Sequence, residues 1–514
     1  MPKIRRALIS VTDKTGVADF ARRLAELSVE IVSTGGTARL LREQGLTVRD
    51  VSELTGFPEM LDGRVKTLHP LIAGGVLAIR GNAGHRKAVE EHGIPLIDMV
   101  VVNLYAFEKT AARRDATFED IVENIDIGGP SMIRAAAKNY RDVAVVTDPG
   151  DYDTIAGELA SGEGDLSEES CWRLAQRAFA VTAAYDAAIS GTLSTINAAG
   201  NRDGSPLPGL LGLAVPRKQL LRYGENPHQS AALFASGDQG IAGARKLHGK
   251  ELSYNNLVDL DAAWSLVCEF ERPAAAIIKH TNPCGCAEQD TQADAYCRAL
   301  ACDPVSAFGS VIAFNRPVEP ESAGELSGLF VEAIAAPGFN EEAFAILTRK
   351  KNLRLLEVGE TPSTLVVKSI AGGYLAQTED DLTARPQDLK VVSERAPTDA
   401  EMKDLEFAWK VTKHVKSNAI VYVRDGQTVG VGAGQMSRVD AARIGAQKAV
   451  LPLQGTAVGS DAFFPFPDGV EEIASHGATA VIQPGGSKRD AEVIAAANRL
   501  GLTMVFTGLR HFRH

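Results

Sequence analysis

The sequence predicts an α/β protein, with a doubly wound parallel sheet at the N-terminus followed by a larger region of mixed α/β patterning. Three observations carry the prediction. In the first 150 or so residues short apolar runs alternate with segments of helical period, the pattern of strands joined by crossover helices. The polar segments "SVTDKTG", "STGGTA", "NLYAF" and "VTDPGDY" each follow an apolar run, so they collect at strand carboxyl ends, where such sheets bind ligands. The length of 514 residues is too great for one core and requires about two to four domains.

The elements follow in order. Residues 7–11 (ALISV) read as a strand, 15–27 as a helix, 29–33 as a strand and 37–44 as a helix, and "DMVVVNLY" and "DVAVVT" add two buried strands. A helix is expected over 168–197, and then "AAGNRDGSPLPGLLGLAVPRK" breaks both periods with crowded Gly and Pro. The domain boundary is placed there, giving domains 1–198 and 199–514. A looser Pro/Gly/Thr-rich passage over 358–400 divides the second domain into lobes of about 199–395 and 396–514. A short repeat supports two related lobes: "DLDAAW" at 259–264 returns as "DLEFAW" at 404–409, 145 positions on, and each precedes a strand.

Composition narrows the function classes. The net charge of −11 excludes a general nucleic-acid or anionic-membrane surface, which would need a basic field, so an anionic ligand must be met by local cations. The six cysteines, at 171, 268, 284, 286, 297 and 302, do not form a small disulfide framework and are expected to be reduced. The opening "MPKIRRALISVTDK" has too short an apolar run for a signal peptide, and no stretch reaches the roughly 18 apolar residues of a membrane span, so the expected location is the cytoplasm.

The chemistry begins in "AAAIIKHTNPCG", where an apolar strand ends on Lys279 and His280. An imidazole titrates near neutrality and serves as a general base, and an adjacent ammonium can offset charge on a developing oxyanion. In "STGGTARLL", Thr34, Gly35, Gly36 and Thr37 lie between a strand and a helix, presenting backbone N–H groups and hydroxyls at a positive helix end, a place for phosphate. Lys14, and Arg64, Lys66 and His69 of "DGRVKTLHP", supply cations. In "DIGGPSMIRAAAKNY" the residues Gly128, Gly129 and Pro130 open a helix on which Arg134 and Lys138 share a face, with Asp126 at its entrance as an acid/base partner.

Taken together, "SVTDKTG", "STGGT", "ELTGFPEMLDGRVKTLHP", "IDIGGPSMIRAAAKN", "RYGENPHQ", "KHTNPCG", "GAGQMSR", "SDAFFPF" and "QPGGS" resemble the PurH-type family of bifunctional purine-biosynthesis proteins over nearly the whole chain. That family joins IMP cyclohydrolase, on a methylglyoxal-synthase-like domain, to AICAR formyltransferase, on two cytidine-deaminase-like lobes. The resemblance implies a first domain holding formyl-AICAR and IMP through Thr12, Asp13, Lys14, Thr34, Gly35, Gly36, Thr37, Arg64, Val65, Lys66, Thr67, Asn103, Tyr105, Asp126 and Ile127, with Lys138 as the catalytic lysine. It implies formyl transfer from 10-formyltetrahydrofolate in the second domain, catalysed by His280 and Lys279. AICAR would contact Arg222, Tyr223, Gly309, Glu332, Asn418 and Arg438, and folate would contact Val439, Phe463, Asp468, Gly469, Ser487, Lys488 and Arg510. A homodimer whose transferase sites draw on both chains, and no metal, are also implied.

The sequence departs from the family at Ala106, where Pro is usual, and at Ala73 and Ile79, where a histidine and an arginine are common. Lacking a proline loosens one turn, and the other two changes are expected to remove polar groups from the edge of the cyclase site. A zinc-dependent deaminase is the rival reading, because "NPCGC" is similar to half of its signature. One residue rather than two separates Cys284 from Cys286, and the chain contains no H-x-E. A non-catalytic nucleotide sensor would account for "STGGT" but not for the Lys-His pair.

Overall fold

The computed structural model describes residues 3–61, 63–113, 115–197, 200–201, 207–361 and 365–514. The chain divides into two compact units, Met1–Ala214 and Val215–His514. The boundary expected between residues 198 and 199 lies outside the described residues.

In the first unit β1 (Arg6–Ser10), β2 (Glu30–Ser33), β3 (Arg49–Asp50), β4 (Met99–Val102) and β5 (Ala144–Val146) form an all-parallel sheet in the order β3-β2-β1-β4-β5. Strands covered on both faces must be apolar throughout, and every residue of β4 (MVVV) and β5 (AVV) is buried. The helix Val17–Glu26 buries Val17, Phe20, Ala21 and Leu24, one face of a 3.6-residue period. The strand order reverses between β1 and β4. Right-handed crossovers leaving that point in opposite directions put their helices on opposite faces and leave a crevice between the carboxyl ends of these two strands. The helix expected over 168–197 runs Glu168–Leu193 and starts at a Ser167 side-chain cap.

In the second unit β6 (Arg217–Leu221) and β7 (Ala231–Phe234) form a hairpin. Then come β8 (Arg245–His248), β9 (Ala274–Lys279), β10 (Asn282–Glu288), β11 (Ser310–Phe314), β12 (Val331–Ala336) and β13 (Arg354–Glu357). A second hairpin, β14 (Leu365–Ile370) and β15 (Gly373–Thr378), precedes β16 (Lys390–Val391), β17 (Ile420–Arg424), β18 (Gln427–Gly432), β19 (Ala457–Ser460), β20 (Ala480–Gln483) and β21 (Thr503–Phe506). The two hairpins apart, these strands make one mixed sheet of 12 strands, ordered β16-β21-β20-β19-β17-β18-β10-β9-β11-β12-β13-β8.

That order is symmetric about its centre. Reading outwards, β10, β9, β11, β12, β13 and β8 match β18, β17, β19, β20, β21 and β16, with the same succession of antiparallel and parallel pairs. The halves meet where β10 pairs antiparallel with β18 at Ala287 and Gln427. The two repeat hexapeptides lie in matching helices, Tyr254–Val267 and Asp399–Lys413. Close approach of helix to strand also repeats: a Cβ at Gly285 would lie 1.9 Å from the Ala299 carbonyl oxygen, and one at Gly430 would lie 2.4 Å from that of Gly445. The six-residue match therefore marks a repeat of the whole lobe.

The lobes are also joined by charge. Glu269, just past the end of Tyr254–Val267, accepts hydrogen bonds from Lys413 Nζ at 2.8 Å and His414 Nε2 at 2.9 Å. Burial pushes this carboxyl up, but the bonds from His414 and Lys413 outweigh it and hold the pKa at about 2, against an ordinary 4.5. Burial pushes His414 down, so the imidazole is neutral and Lys413 carries the counter-charge. A carboxyl more acidic in the folded than in the unfolded chain contributes stability that is full above pH 4.5 and is lost as the pH falls towards 2. Glu269→Gln is expected to lower the stability of the second unit at pH 7 by about 3 kcal/mol and to flatten the acid limb of its pH–stability curve. Urea titrations of parent and variant from neutral to acid pH check this.

Candidate active sites

The crevice of the first unit is a cavity of about 730 Å³. Ser10, Val11, Thr12 and Lys14 enter it from the end of β1, and Thr34, Gly35, Gly36 and Thr37 from the end of β2. Val102, Asn103 and Tyr105 follow β4, and Asp126, Ile127, Gly128 and Gly129 open the helix Gly128–Lys138. Asn103 bridges the switch point: its Oδ1 accepts the N–H groups of Thr12 at 2.6 Å and Asp13 at 2.8 Å, and its Nδ2 donates to the Asp13 carbonyl at 3.0 Å. Two helix N-termini, those of Gly35–Glu43 and Gly128–Lys138, thus end on one cavity.

Cations complete it. Lys14 Nζ donates to Thr37 Oγ1 at 2.8 Å and to the Val11 carbonyl. Burial, and then the charge of Lys66, push the Lys14 pKa down, as expected of two ammonium groups turned towards one space. Arg64 and Thr67 also line the cavity, and Arg64 is paired with Glu123. Burial pushes the Asp126 carboxyl up, against hydrogen bonding from the Gly129 amide, whose nitrogen is 2.8 Å from Oδ1. A carboxyl held nearer neutrality can exchange a proton with a ligand.

Two expected residues contribute otherwise. Asp13 does not line the cavity, and its carboxylate accepts from the Thr15 amide and hydroxyl at 2.9 and 2.7 Å. Val65 acts through its backbone, bridging to Met60 and closing the loop that carries Arg64 and Lys66. Lys138 stands apart. It is exposed at the last position of Gly128–Lys138, about 15 Å along the axis from Gly128, and does not line the cavity. Arg134 on the same helix lies over the Phe179 ring at 5.6 Å. Ala73 and Ile79 are likewise not among the lining residues. Glu59 and Glu123, which no motif argument singled out, do line it. The only hint of Glu59 was its place in "ELTGFPEMLDGRVKTLHP", three residues before the cationic stretch "DGRVKTLHP".

In the second unit the expected residues gather along one edge of the large sheet. Lys279 pairs with Asn282, so His280 and Thr281 form a two-residue turn between β9 and β10. Lys279 Nζ donates to the carbonyls of Phe308 at 2.7 Å and Gly309 at 3.2 Å. The strand directions bring Gly309 and Glu332, near the starts of β11 and β12, to the same edge. Glu332 is paired with Arg354 at 2.6 Å. Arg222 follows β6, with its guanidinium over the Tyr223 ring at 5.7 Å.

On the other lobe, Arg438 is buried, donating from Nη2 to Asn418 Oδ1 at 2.7 Å and from Nη1 to Ser460 Oγ at 2.8 Å and to Asp461. Its neighbour Val439 is half-buried. Phe463, Asp468 and Gly469 follow β19, Ser487 and Lys488 follow β20, and Arg510 follows β21 and stacks on Phe512 at 4.3 Å. Six strand spacings separate β9 from β21, roughly 29 Å along the sheet. The residues expected to contact AICAR and folate are therefore spread along this edge, with Asn418 and Arg438 beside Val439.

Among the described residues no three His, Cys, Asp or Glu side chains are grouped to hold a metal. Burial pushes the thiols of Cys284 and Cys302 up to about 12, which keeps them protonated and makes them poor ligands.

Comparison with known proteins shows the family. A family described as "AICARFT/IMPCHase bienzyme" matches residues 136–448, and one described as "MGS-like domain" matches 16–131. A protein of Dinoroseobacter shibae named bifunctional purine biosynthesis protein PurH is 55% identical over 99% of each chain. One of the same name from Magnetococcus marinus is 55% identical over 100% of each. The chain belongs to the AICARFT/IMPCHase bienzyme family. Within this bienzyme the MGS-like match covers most elements of the crevice, so the parallel-sheet unit is the MGS-like domain. A third bienzyme of that name, from Ruegeria pomeroyi, is 54% identical over 99% of each chain. Among solved structures, one titled "Crystal structure of ForH" is 35% identical, covering 37% of this chain and 100% of its own, at a TM-score of 0.34.

The facing ammonium groups yield a test. Lys14→Met is expected to leave the melting temperature of the ligand-free chain unchanged or higher, because it removes a like-charge contact, and to shrink the upward shift produced by IMP. Thermal melts with and without IMP measure both; a parent-sized shift in the variant would take Lys14 out of the anion site.

Proposed function

We propose that the chain carries out the last two steps of IMP synthesis: formyl transfer from 10-formyltetrahydrofolate to the 5-amino group of AICAR, then dehydrative closure of formyl-AICAR to IMP. The observation that carries the reading is that the two chemistries have separate places in the chain. The first unit offers an anion crevice with two helix N-termini and two ammonium groups, and the second an edge bearing Lys279 and His280. The cyclohydrolase is assigned to 1–198 and the transferase to 199–514, with lobes of about 199–395 and 396–514, each cytidine-deaminase-like by resemblance.

In the crevice the nucleotide phosphate takes the amides of residues 34–37 with Lys14 and Lys66, and Arg64, Thr67, Asn103, Tyr105 and Ile127 fix the base and ribose. The carboxamide nitrogen attacks the formyl carbon of the same molecule and water leaves. Holding the two groups together supplies much of the acceleration, and Asp126 moves the proton. Lys138 keeps its role by resemblance. Its separation from its own chain's cavity supports its supply by a second copy, as a homodimer would allow.

In the transferase, His280 takes the proton from the weakly nucleophilic amine. Lys279, anchored by two carbonyls, directs its third N–H at the oxyanion on the formyl carbon. Arg222, Tyr223, Gly309, Glu332, Asn418 and Arg438 position AICAR. Val439, Phe463, Asp468, Gly469, Ser487, Lys488 and Arg510 line the folate side, and the roughly 29 Å from β9 to β21 is spanned by pairing edges of two chains. Neither step uses a metal. No helix among the described residues is long and apolar enough to cross a membrane; the proposed compartment is the cytoplasm.

Two substitutions test the assignment. His280→Ala is expected to lower folate release from AICAR by about a hundredfold or more while supplied formyl-AICAR still closes to IMP. Lys138→Ala should do the reverse, after subtraction of enzyme-free cyclisation. Equal loss of both reactions in a folded variant would sink the two-site reading. Co-expressed Lys138→Ala and Lys66→Ala chains should recover cyclisation that neither has alone; no recovery would return Lys138 to a single-chain role.

A further inference from the structure

The turn that carries His280 is held in an unfavourable conformation, and the internal repeat shows what holds it. His280 and Thr281 both have positive φ, +51° and +63°, the geometry of a type I′ hairpin. That geometry favours Asn-Gly or Asp-Gly; a β-branched residue such as threonine rarely adopts it. Asp259, in the helix Tyr254–Val267, accepts the Thr281 N–H at Oδ1 at 2.7 Å.

In the second lobe every participant recurs 145 positions on. Asp404 accepts the N–H groups of Asp425 at 3.0 Å and Gly426 at 2.9 Å, in the turn between β17 and β18. Those two residues have φ of +54° and +66°. The fold thus builds the same clamp and the same turn twice. One copy carries Asp-Gly, which favours the turn unaided; the other carries His-Thr, which does not. The carboxylate beneath the first copy also answers to its charges. Burial pushes Asp259 up, and the Thr281 amide followed by the charges of His280 and Lys279 oppose it.

We propose that Asp259 is a positioning residue for formyl transfer: its carboxylate fixes the strained turn on which His280 is presented to the amine of AICAR. This rests on the transferase reading of the Lys279 and His280 edge. Holding the base at bonding distance from the proton it removes is a requirement on kcat, since a displacement near 1 Å costs about a hundredfold. Asp404, under a turn that favours itself, has no such task.

The test uses the full chain, with formyl transfer to AICAR and cyclisation of formyl-AICAR measured separately. Asp259→Ala is expected to lower the transfer kcat by about tenfold to a hundredfold, with the KM for AICAR changed by no more than about twofold and cyclisation unaffected. Asp404→Ala, the same deletion under the matching turn, should leave the transfer kcat within about twofold. Adding Thr281→Gly to Asp259→Ala should restore most of the lost kcat, because glycine adopts the turn without a clamp. Equal effects of the two Asp substitutions, or a loss that Thr281→Gly does not relieve, would overturn the proposal. If Asp259→Ala does not fold, Asp259→Leu, which has no acceptor, carries the same comparison: a kcat loss relieved by Thr281→Gly supports it and an unrelieved or absent loss overturns it. His280→Ala run alongside separates the two readings. Transfer surviving it defeats the transferase assignment of this turn and the positioning role together, whereas transfer lost in His280→Ala but intact in Asp259→Ala defeats the positioning role alone.

Discussion

β10 and β18 belong to different lobes, yet they pair antiparallel at Ala287 and Gln427, and the arrangement of the second unit depends on that seam. Thr428 Oγ1 fixes it from the side, accepting the Cys286 N–H at 2.9 Å. Gln289 Nε2 reaches across to the Asp425 carbonyl at 2.8 Å. An antiparallel seam relates its two halves by a twofold axis normal to the sheet, so whatever stands at one edge of the first lobe has its match at the opposite edge of the second. Residues on the same edge are therefore not repeats of one another. The residues expected along the transferase edge therefore come from different parts of one repeating unit.

Much of this was legible in the sequence. Strands of the first unit appear where apolar runs placed them, ALISV at β1 and DVAVVT at β5, because a parallel strand buried on both faces leaves an unbroken apolar signal. The crevice residues after β1, β2 and β4 were legible because polar segments after such strands collect at one end of the sheet, but "VTDPGDY" after β5 supplies none of the lining. The hexapeptide repeat was a faint trace of a full structural one, since most of the equivalence lies in pairing order rather than in residue identity.

What the sequence hid was direction and distance. A four-residue spacing puts Arg134 and Lys138 on one helical face, but it does not say that the N-terminus of this helix points into the cavity, leaving Lys138 a full helix length away. Arg134 meets an aromatic ring on a helix formed some 40 residues later, which no local pattern announces. Arg438 is expected from the resemblance to contact AICAR, and no local pattern announces that its guanidinium bonds Asn418, Ser460 and Asp461. Asp259 stands in the sequence only as the first residue of "DLDAAW", because the amide it binds lies 22 residues away.

The doubled turn has a consequence for how such an enzyme arises. A single hairpin asked both to fold readily and to present an imidazole must compromise, because the sequences that fold it best, Asp-Gly and Asn-Gly, carry none. Once the lobe is present twice, one hairpin can keep the sequence that folds best while its sister accepts strain. On the proposed reading, Asp425 with Gly426 and His280 with Thr281 are that division of labour between two copies of one turn.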